Sequence, residues 1–147
     1  MMADKRVVLL VEDNLDDETL TLRVLKKNKL TNEVVVAHDG LEALDYLFAT
    51  GAYTSRDLDM MPQVILLDLK LPKVDGFQVL RQIRADERTR LVPVVILSSS
   101  DEEKDMAQSY RLGANSYIRK PVEFSQFTMV IEQLKLYWLD LNQPPPC

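Results

Sequence analysis

Val64-Ile65-Leu66-Leu67 is a run of four consecutive aliphatic residues that closes on a carboxylate, Asp68. Such a run reads as a strand buried on both faces, and it has no reason to meet a carboxylate unless the strand ends there. In open parallel α/β sheets that edge is where ligand sites form, because the loops leaving it keep a crevice open to solvent. Asp68 therefore marks an edge where chemistry is expected.

The pattern recurs along the chain. Val7 to Val11 is a second aliphatic run, closing on Glu12 and Asp13. Asn14 to Asp17 then supply turn and capping groups before a helix carrying Leu20, Leu22, Val24 and Leu25. Residues 33–37 form a short strand, His38-Asp39-Gly40 a turn, and Leu41, Leu44, Leu47 and Phe48 the stripe of an amphipathic helix. Periodicity is lost over 50–63, a loop long for an α/β connection and the expected mobile segment. Beyond Asp68, Pro72 and Gly76 bracket a turn, Asp75 is placed to cap, and Val79, Leu80 and Ile83 mark a third helix. Pro93 to Leu97 delivers Ser98-Ser99-Ser100 to the end of a fourth strand. A polar helix over 101–112, anchored by Met106, Ala107 and Tyr110, ends at Gly113. Ser116 to Arg119 is a fifth strand of edge character, followed by Lys120-Pro121. The last helix, over 123–141, carries Phe127, Ile131, Leu134, Trp138 and Leu141. Five strand-helix units in alternation imply one α/β domain over 1–141, a parallel sheet covered on both faces, with a disordered Pro-rich tail over 142–147.

Composition narrows the function. The 147 residues carry a net charge of −5 with no Lys/Arg-rich block, which argues against a nucleic-acid partner. One cysteine, Cys147, and one histidine, His38, exclude a Cys or multi-His metal site. No apolar stretch approaches a membrane span and no leader pattern opens the chain, so no membrane role and a cytoplasmic location are expected.

Parallel strands place all their carboxyl ends on one edge, where Glu12, Asp13, Asp68, Ser98 and Lys120 can meet. Three adjacent carboxylates repel one another unless a cation sits among them. Oxygen donors without His or Cys suit a hard ion, Mg²⁺ or Mn²⁺, with waters and a phosphate completing its shell. Lys120 can hold a phosphoryl oxygen and Ser98 can donate to another, so the set suits a phosphoryl group carried by Asp68. Asp16, Asp17 and Asp75 read as helix-capping residues, Ser99 and Ser100 as loop hydroxyls, and His38 as a surface turn residue.

These residues resemble the receiver domain of two-component response regulators over about residues 6 to 140: the acidic pair Glu12-Asp13, Asp68 with Leu71-Pro72 and Asp75-Gly76, the hydroxyl of Ser98, and Lys120-Pro121. The resemblance implies a flavodoxin-like sheet of order 2-1-3-4-5, an arrangement for which a receiver is a standard example. It implies that Asp68 accepts phosphate from a sensor histidine kinase and that Glu12, Asp13, Asp68 and the Lys70 backbone carbonyl hold the metal. Ser98 becomes the switch hydroxyl, Tyr117 the switch aromatic, Lys120 the phosphate-binding lysine, and Lys120–Pro121 a cis bond. The protein is then a signalling switch with self-catalysed phosphoryl transfer and slow autodephosphorylation, rather than an enzyme, and its output is another protein, its own dimer or phosphate passed onward. Two features depart from the commonest pattern: Ser98 stands where Thr is commoner, and Lys70 puts a cation beside the acyl phosphate, which implies an altered phosphoryl lifetime. The 50–63 loop, Leu66-Leu67-Asp68-Leu69 and Tyr137-Trp138-Leu139 are similar to small regulators paired with phytochrome-type kinases.

Phe124, Val130, Tyr137 and Leu141 widen the apolar arc of the last helix beyond one face, pointing to a C2 homodimer or partner surface shared with the strand near Tyr117. Two other functions stand beside the switch. An aspartate-nucleophile phosphatase of the haloacid dehalogenase kind needs a second Asp two residues after the nucleophile, where this chain has Lys70; a bare receiver-fold scaffold would not need the acidic set.

Overall fold

Alternating side chains decide how the sheet is built. In this computed structural model, which describes residues 6–27 and 32–146, the central strands β1 (Val8–Val11), β3 (Val64–Leu67) and β4 (Val94–Ser98) are buried at every position. Successive residues of a strand point to opposite faces. Leu9, Val11, Ile65, Leu67, Val94 and Ile96 therefore enter one core, and Val8, Leu10, Val64, Leu66, Val95 and Leu97 the other. The outer strands are β2 (Val34–Ala37) and β5 (Ser116–Arg119), both less buried. The five strands pair in parallel in the order β2-β1-β3-β4-β5, as the sequence implied.

Helices close both faces. α2 (Gly40–Phe48) and α3 (Gly76–Ala85) cover the first core through Ala43, Leu44, Leu47, Val79, Leu80 and Ile83. α1 (Leu15–Lys26) and α5 (Phe124–Lys135) cover the second through Leu20, Val24, Leu25, Phe127, Ile131 and Leu134. Three helices start on side-chain caps: Asn14 accepts from the Asp17 amide, Asp39 from Glu42 and Asp75 from Gln78. α4 (Glu103–Arg111) is different, with no cap from its own Glu102 and only Ser109 fully buried.

Several expectations change. Leu41, Tyr110 and Leu141 are exposed rather than core residues, because Ala43, Ser109 and Leu134 hold the inward positions of their helices. The last helix widens into a π-type stretch over Leu136–Leu141, which turns the register that the apolar spacing had assigned to Leu141. Within 50–63 a single 3₁₀ turn forms at Gly51–Tyr53, and Arg56 holds the loop by donating to the carbonyls of Tyr46, Leu47 and Met60. No peptide bond among the described residues is cis, so Lys120–Pro121 is trans, a correction to the isomer the resemblance implied. Residues 142–146 run without helix or strand, and the Arg6 guanidinium donates to the Pro145 carbonyl at 2.9 Å; Cys147 lies outside the described residues.

The β3–α3 connection is pressed against the sheet edge at Gly76, whose amide donates to the Leu69 carbonyl at 2.8 Å. A Cβ there would lie 2.3 Å from the Asp68 carbonyl oxygen and 2.6 Å from Leu69 Cα. Backbone cannot swing aside as a long side chain can. Gly76→Ala is expected to cost about 1–3 kcal/mol in denaturant unfolding and to displace Asp68; an unchanged midpoint would show that this close packing has been misjudged.

Candidate functional site

Backbone hydrogen bonds gather the strand ends into one crevice. The Glu12 amide donates to the Ala37 carbonyl, Asp68 to Val11 and Lys120 to Ser98, so the residues following β1, β3 and β5 are each tied to a neighbouring strand. Glu12, Asp13 and Asp68 each offer a carboxylate oxygen, all within 4.8 Å of one another. Lys120 Nζ lies 2.6 Å from Glu12 Oε1, 2.9 Å from Asp17 Oδ2 and 3.0 Å from Asp68 Oδ2. An ammonium has three donors, and all three are engaged. Glu12 is nearly sealed, with 1% of its side chain exposed, whereas Asp68 keeps 11% and Asp13 faces solvent, so the cluster opens outward.

Charge is unbalanced there. Three carboxylates, from Glu12, Asp17 and Asp68, contact one ammonium, and a fourth, from Asp13, lies beside Glu12 and Asp68. Burial pushes the Glu12 carboxyl up to about 7, against the opposing pull of Lys120 and with a further push from Asp68. Burial alone would lower Lys120, but the Asp68 and Glu12 charges outweigh it and hold the amine above its ordinary range. A divalent cation held by the three clustered carboxylates would relieve this excess, and the all-oxygen donor set fits Mg²⁺ or Mn²⁺. Lys70 is exposed, and its amide donates to Asp68 Oδ1 at 3.3 Å.

A pH dependence follows from Glu12. Its pKa is higher in the folded protein than in the unfolded chain, so between about 4.5 and about 7 the folded state binds more protons. Stability from this group is fully present at the acid end of that window and is lost as pH rises through about 7. Lys120, raised rather than lowered, contributes evenly across the same window. The metal-free protein should therefore unfold at lower urea as pH is raised from about 5 to about 8, with saturating Mg²⁺ flattening the slope. A slope of opposite sign would contradict this picture of Glu12.

Ser98 is fully buried at the end of β4, where its Oγ accepts from the Ser100 amide at 3.1 Å. Tyr117, half-buried on β5, donates its hydroxyl to the Ser100 carbonyl at 2.9 Å. Ser98 and Tyr117 thus meet at Ser100 rather than at the carboxylates. His38 is exposed, with Nε2 2.9 Å from Glu18 Oε1, and stands apart from the cluster. Sequence reasoning missed Asp17 and Ser100. The signal for Asp17 was weak: it sits in the first turn of α1, where acidic residues ordinarily serve the helix dipole.

Five parallel strands with a carboxylate crevice and a lysine at their carboxyl edge define a receiver fold and site. The model of the response regulator receiver domain matches residues 8–132, and the chain belongs to that family. It is 40% identical over 143 residues to the probable methanogenesis regulatory protein FilR2 of Methanothrix harundinacea (strain 6Ac), covering 97% of this chain and 89% of FilR2. The phosphorylated cyanobacterial phytochrome response regulator RcpA superposes with a TM-score of 0.90 at 38% identity, covering 97% of this chain and 99% of RcpA. The Mn²⁺-bound form of response regulator Rcp1 gives 0.89 at 35% identity, covering 95% and 99%; Rcp1 is from a Synechocystis strain.

Proposed function

We propose that the chain is a response regulator whose Asp68 takes a phosphoryl group from a sensor histidine kinase, with Mg²⁺ or Mn²⁺ held by Glu12, Asp13, Asp68 and the Lys70 carbonyl. The observation that carries this reading is the contact of Lys120 Nζ with the Asp68 carboxylate beside two further carboxylates at an open edge. In-line phosphoryl transfer needs positioning and charge neutralisation more than covalent help. A bound divalent ion supplies neutralisation at the phosphoryl oxygens. The chain's own residues do the rest: Asp68 presents a carboxylate oxygen, Lys120 turns a donor from a carboxylate to the phosphoryl, and Ser98 offers its hydroxyl proton. The acyl phosphate then forms and later hydrolyses without a further enzyme. Lys70 stands two residues past Asp68 in place of the Asp a haloacid dehalogenase phosphatase requires, which disfavours that alternative.

Likeness to RcpA, a phytochrome response regulator, supports a phytochrome-type kinase as partner. Phosphotransfer from such a kinase, autophosphorylated and purified, tests this. Rapid loss of label from the kinase with its appearance on the chain supports the pairing. Transfer no faster than from unrelated kinases would remove it while leaving phosphoacceptance intact.

The homodimer reading rests on exposed Phe124, Met129, Leu136, Tyr137 and Leu141 along α5 and its π-type extension. Ser116 and Ile118 of the edge strand β5 line a groove with Val130, Tyr137 and Trp138 beside them. Sedimentation at micromolar concentration should show a dimer, which Tyr137→Glu weakens; a monomer with and without an acyl-phosphate mimic would contradict it. No helix among the described residues is long and apolar enough to cross a membrane. A cytoplasmic protein acting on other proteins, rather than nucleic acid, fits these features.

A further inference from the structure

The three carboxylate partners of Lys120 are not alike. Glu12 and Asp68 are buried, and with Asp13 they form the cluster of oxygens that suits a divalent ion. Asp17 is partly exposed and stands outside that cluster. A divalent ion and an ammonium drawn to the same two carboxylates compete for them and repel each other. Of its three partners, Asp17 is the one Lys120 can keep whatever occupies the cluster.

Local bonds aim Asp17 at the lysine. Its amide donates to Asn14 Oδ1 at 2.9 Å, the cap of α1, and the Asn14 amide donates in turn to Glu12 Oε2 at 3.2 Å. In the reciprocal form of such a cap, an acidic side chain at the third helical residue folds back onto the amide of the capping residue. Here Glu12 has taken that amide. The Asp17 carboxylate is therefore released from the cap and meets Lys120 Nζ at 2.9 Å. Asp16, its neighbour in the same turn, faces solvent and takes none of the three Lys120 donors.

We propose that Asp17 is a positioning residue that gives Lys120 a counter-ion of its own, so that the ammonium keeps its place when Glu12 and Asp68 turn to a divalent ion. Lys120 then gives up Glu12, pivots on Asp17 and has a donor left for a phosphoryl oxygen. Without Asp17, the same withdrawal leaves an ammonium with 6% of its side chain exposed and no carboxylate partner. That state is unfavourable enough to hold the lysine on Glu12 and oppose metal binding. This inference rests on the reading of Asp68 as phosphoacceptor and adds to it the residue that separates the lysine from the metal.

Calorimetric titration with Mg²⁺ alone, beside phosphoryl uptake from acetyl phosphate, tests it. Asp17→Asn should weaken Mg²⁺ binding by roughly tenfold, the worth of one hydrogen bond between charged groups. Asp16→Asn removes the same charge one residue away and should weaken it by less than about twofold, because exposed charges are screened. Half-maximal uptake in Asp17→Asn should need about tenfold more Mg²⁺, with the rate at saturating Mg²⁺ within about twofold of wild type, a split that a damaged fold would not produce. Asp17→Glu, which keeps the carboxylate, should recover most of the affinity, and in Lys120→Met the further change Asp17→Asn should do no more than Asp16→Asn. Equal Mg²⁺ affinities for Asp17→Asn and Asp16→Asn, or an uptake defect that saturating Mg²⁺ does not relieve, would overturn the proposal. Absence of any adduct on the wild type would instead overturn the phosphoacceptor reading, which the calorimetry does not touch, so the two failures are told apart.

Discussion

Lys120→Met is expected to destabilise the metal-free protein by about 3 kcal/mol at neutral pH, because it leaves buried Glu12 and Asp68 without their shared cation. The Nζ group touches three carboxylates, with 6% of the Lys120 side chain exposed, so water cannot take its place without opening the crevice. Two conditions should shrink the loss. Acidification should do so because Glu12, already pushed up to about 7, accepts a proton more readily once the neighbouring cation is gone. Mg²⁺ should do so because it supplies positive charge to the same oxygens. Urea unfolding at about pH 5 and about pH 8, with and without Mg²⁺, measures both. A loss under about 1 kcal/mol that is indifferent to pH and Mg²⁺ would mean that Lys120 is not the counter-charge of the cluster.

Asp68→Asn should abolish phosphoryl uptake while leaving the fold intact. Asn fills nearly the same volume and Lys120 keeps Glu12 and Asp17, so the substitution removes a nucleophile rather than a support. It also removes the charge that helps to raise Glu12, whose carboxyl should therefore titrate lower in the variant. Incubated with acetyl phosphate and Mg²⁺, the wild type should gain the mass of one phosphoryl group and the variant none, with equal circular dichroism. An adduct of equal yield on the variant would move the phosphoacceptor to another residue.

The parts of this account that were legible in the sequence share a physical property: each is marked by a change of character at a strand end. Val64 to Leu67 reads as a doubly buried strand, and Asp68 marks where the apolar run gives way to a charged group at its carboxyl end. The same holds for Glu12 after β1 and Lys120 after β5, and parallel pairing then brings them together. Asp17 was not legible in that way, since a first-turn acid of α1 satisfies local rules whether or not a lysine reaches it from β5. Ser100 was hidden for a related reason. Nothing local distinguishes it from Ser99, and its bond to Tyr117 depends on where β5 comes to lie in three dimensions. The π-type turn at 136–141 escaped because apolar spacing cannot tell a 3.6-residue helix from a wider one over so short a stretch.

The receiver family membership fixes the class of molecule, and the crevice geometry argues which carboxylate reacts. Reduction with borohydride converts an aspartyl phosphate to homoserine, so the reacting position can be read directly by peptide mass spectrometry of the phosphorylated wild type. Homoserine at position 68, dependent on Mg²⁺, is the predicted result; homoserine at another position, or none under conditions where the Mg²⁺-loaded protein is folded, would contradict it.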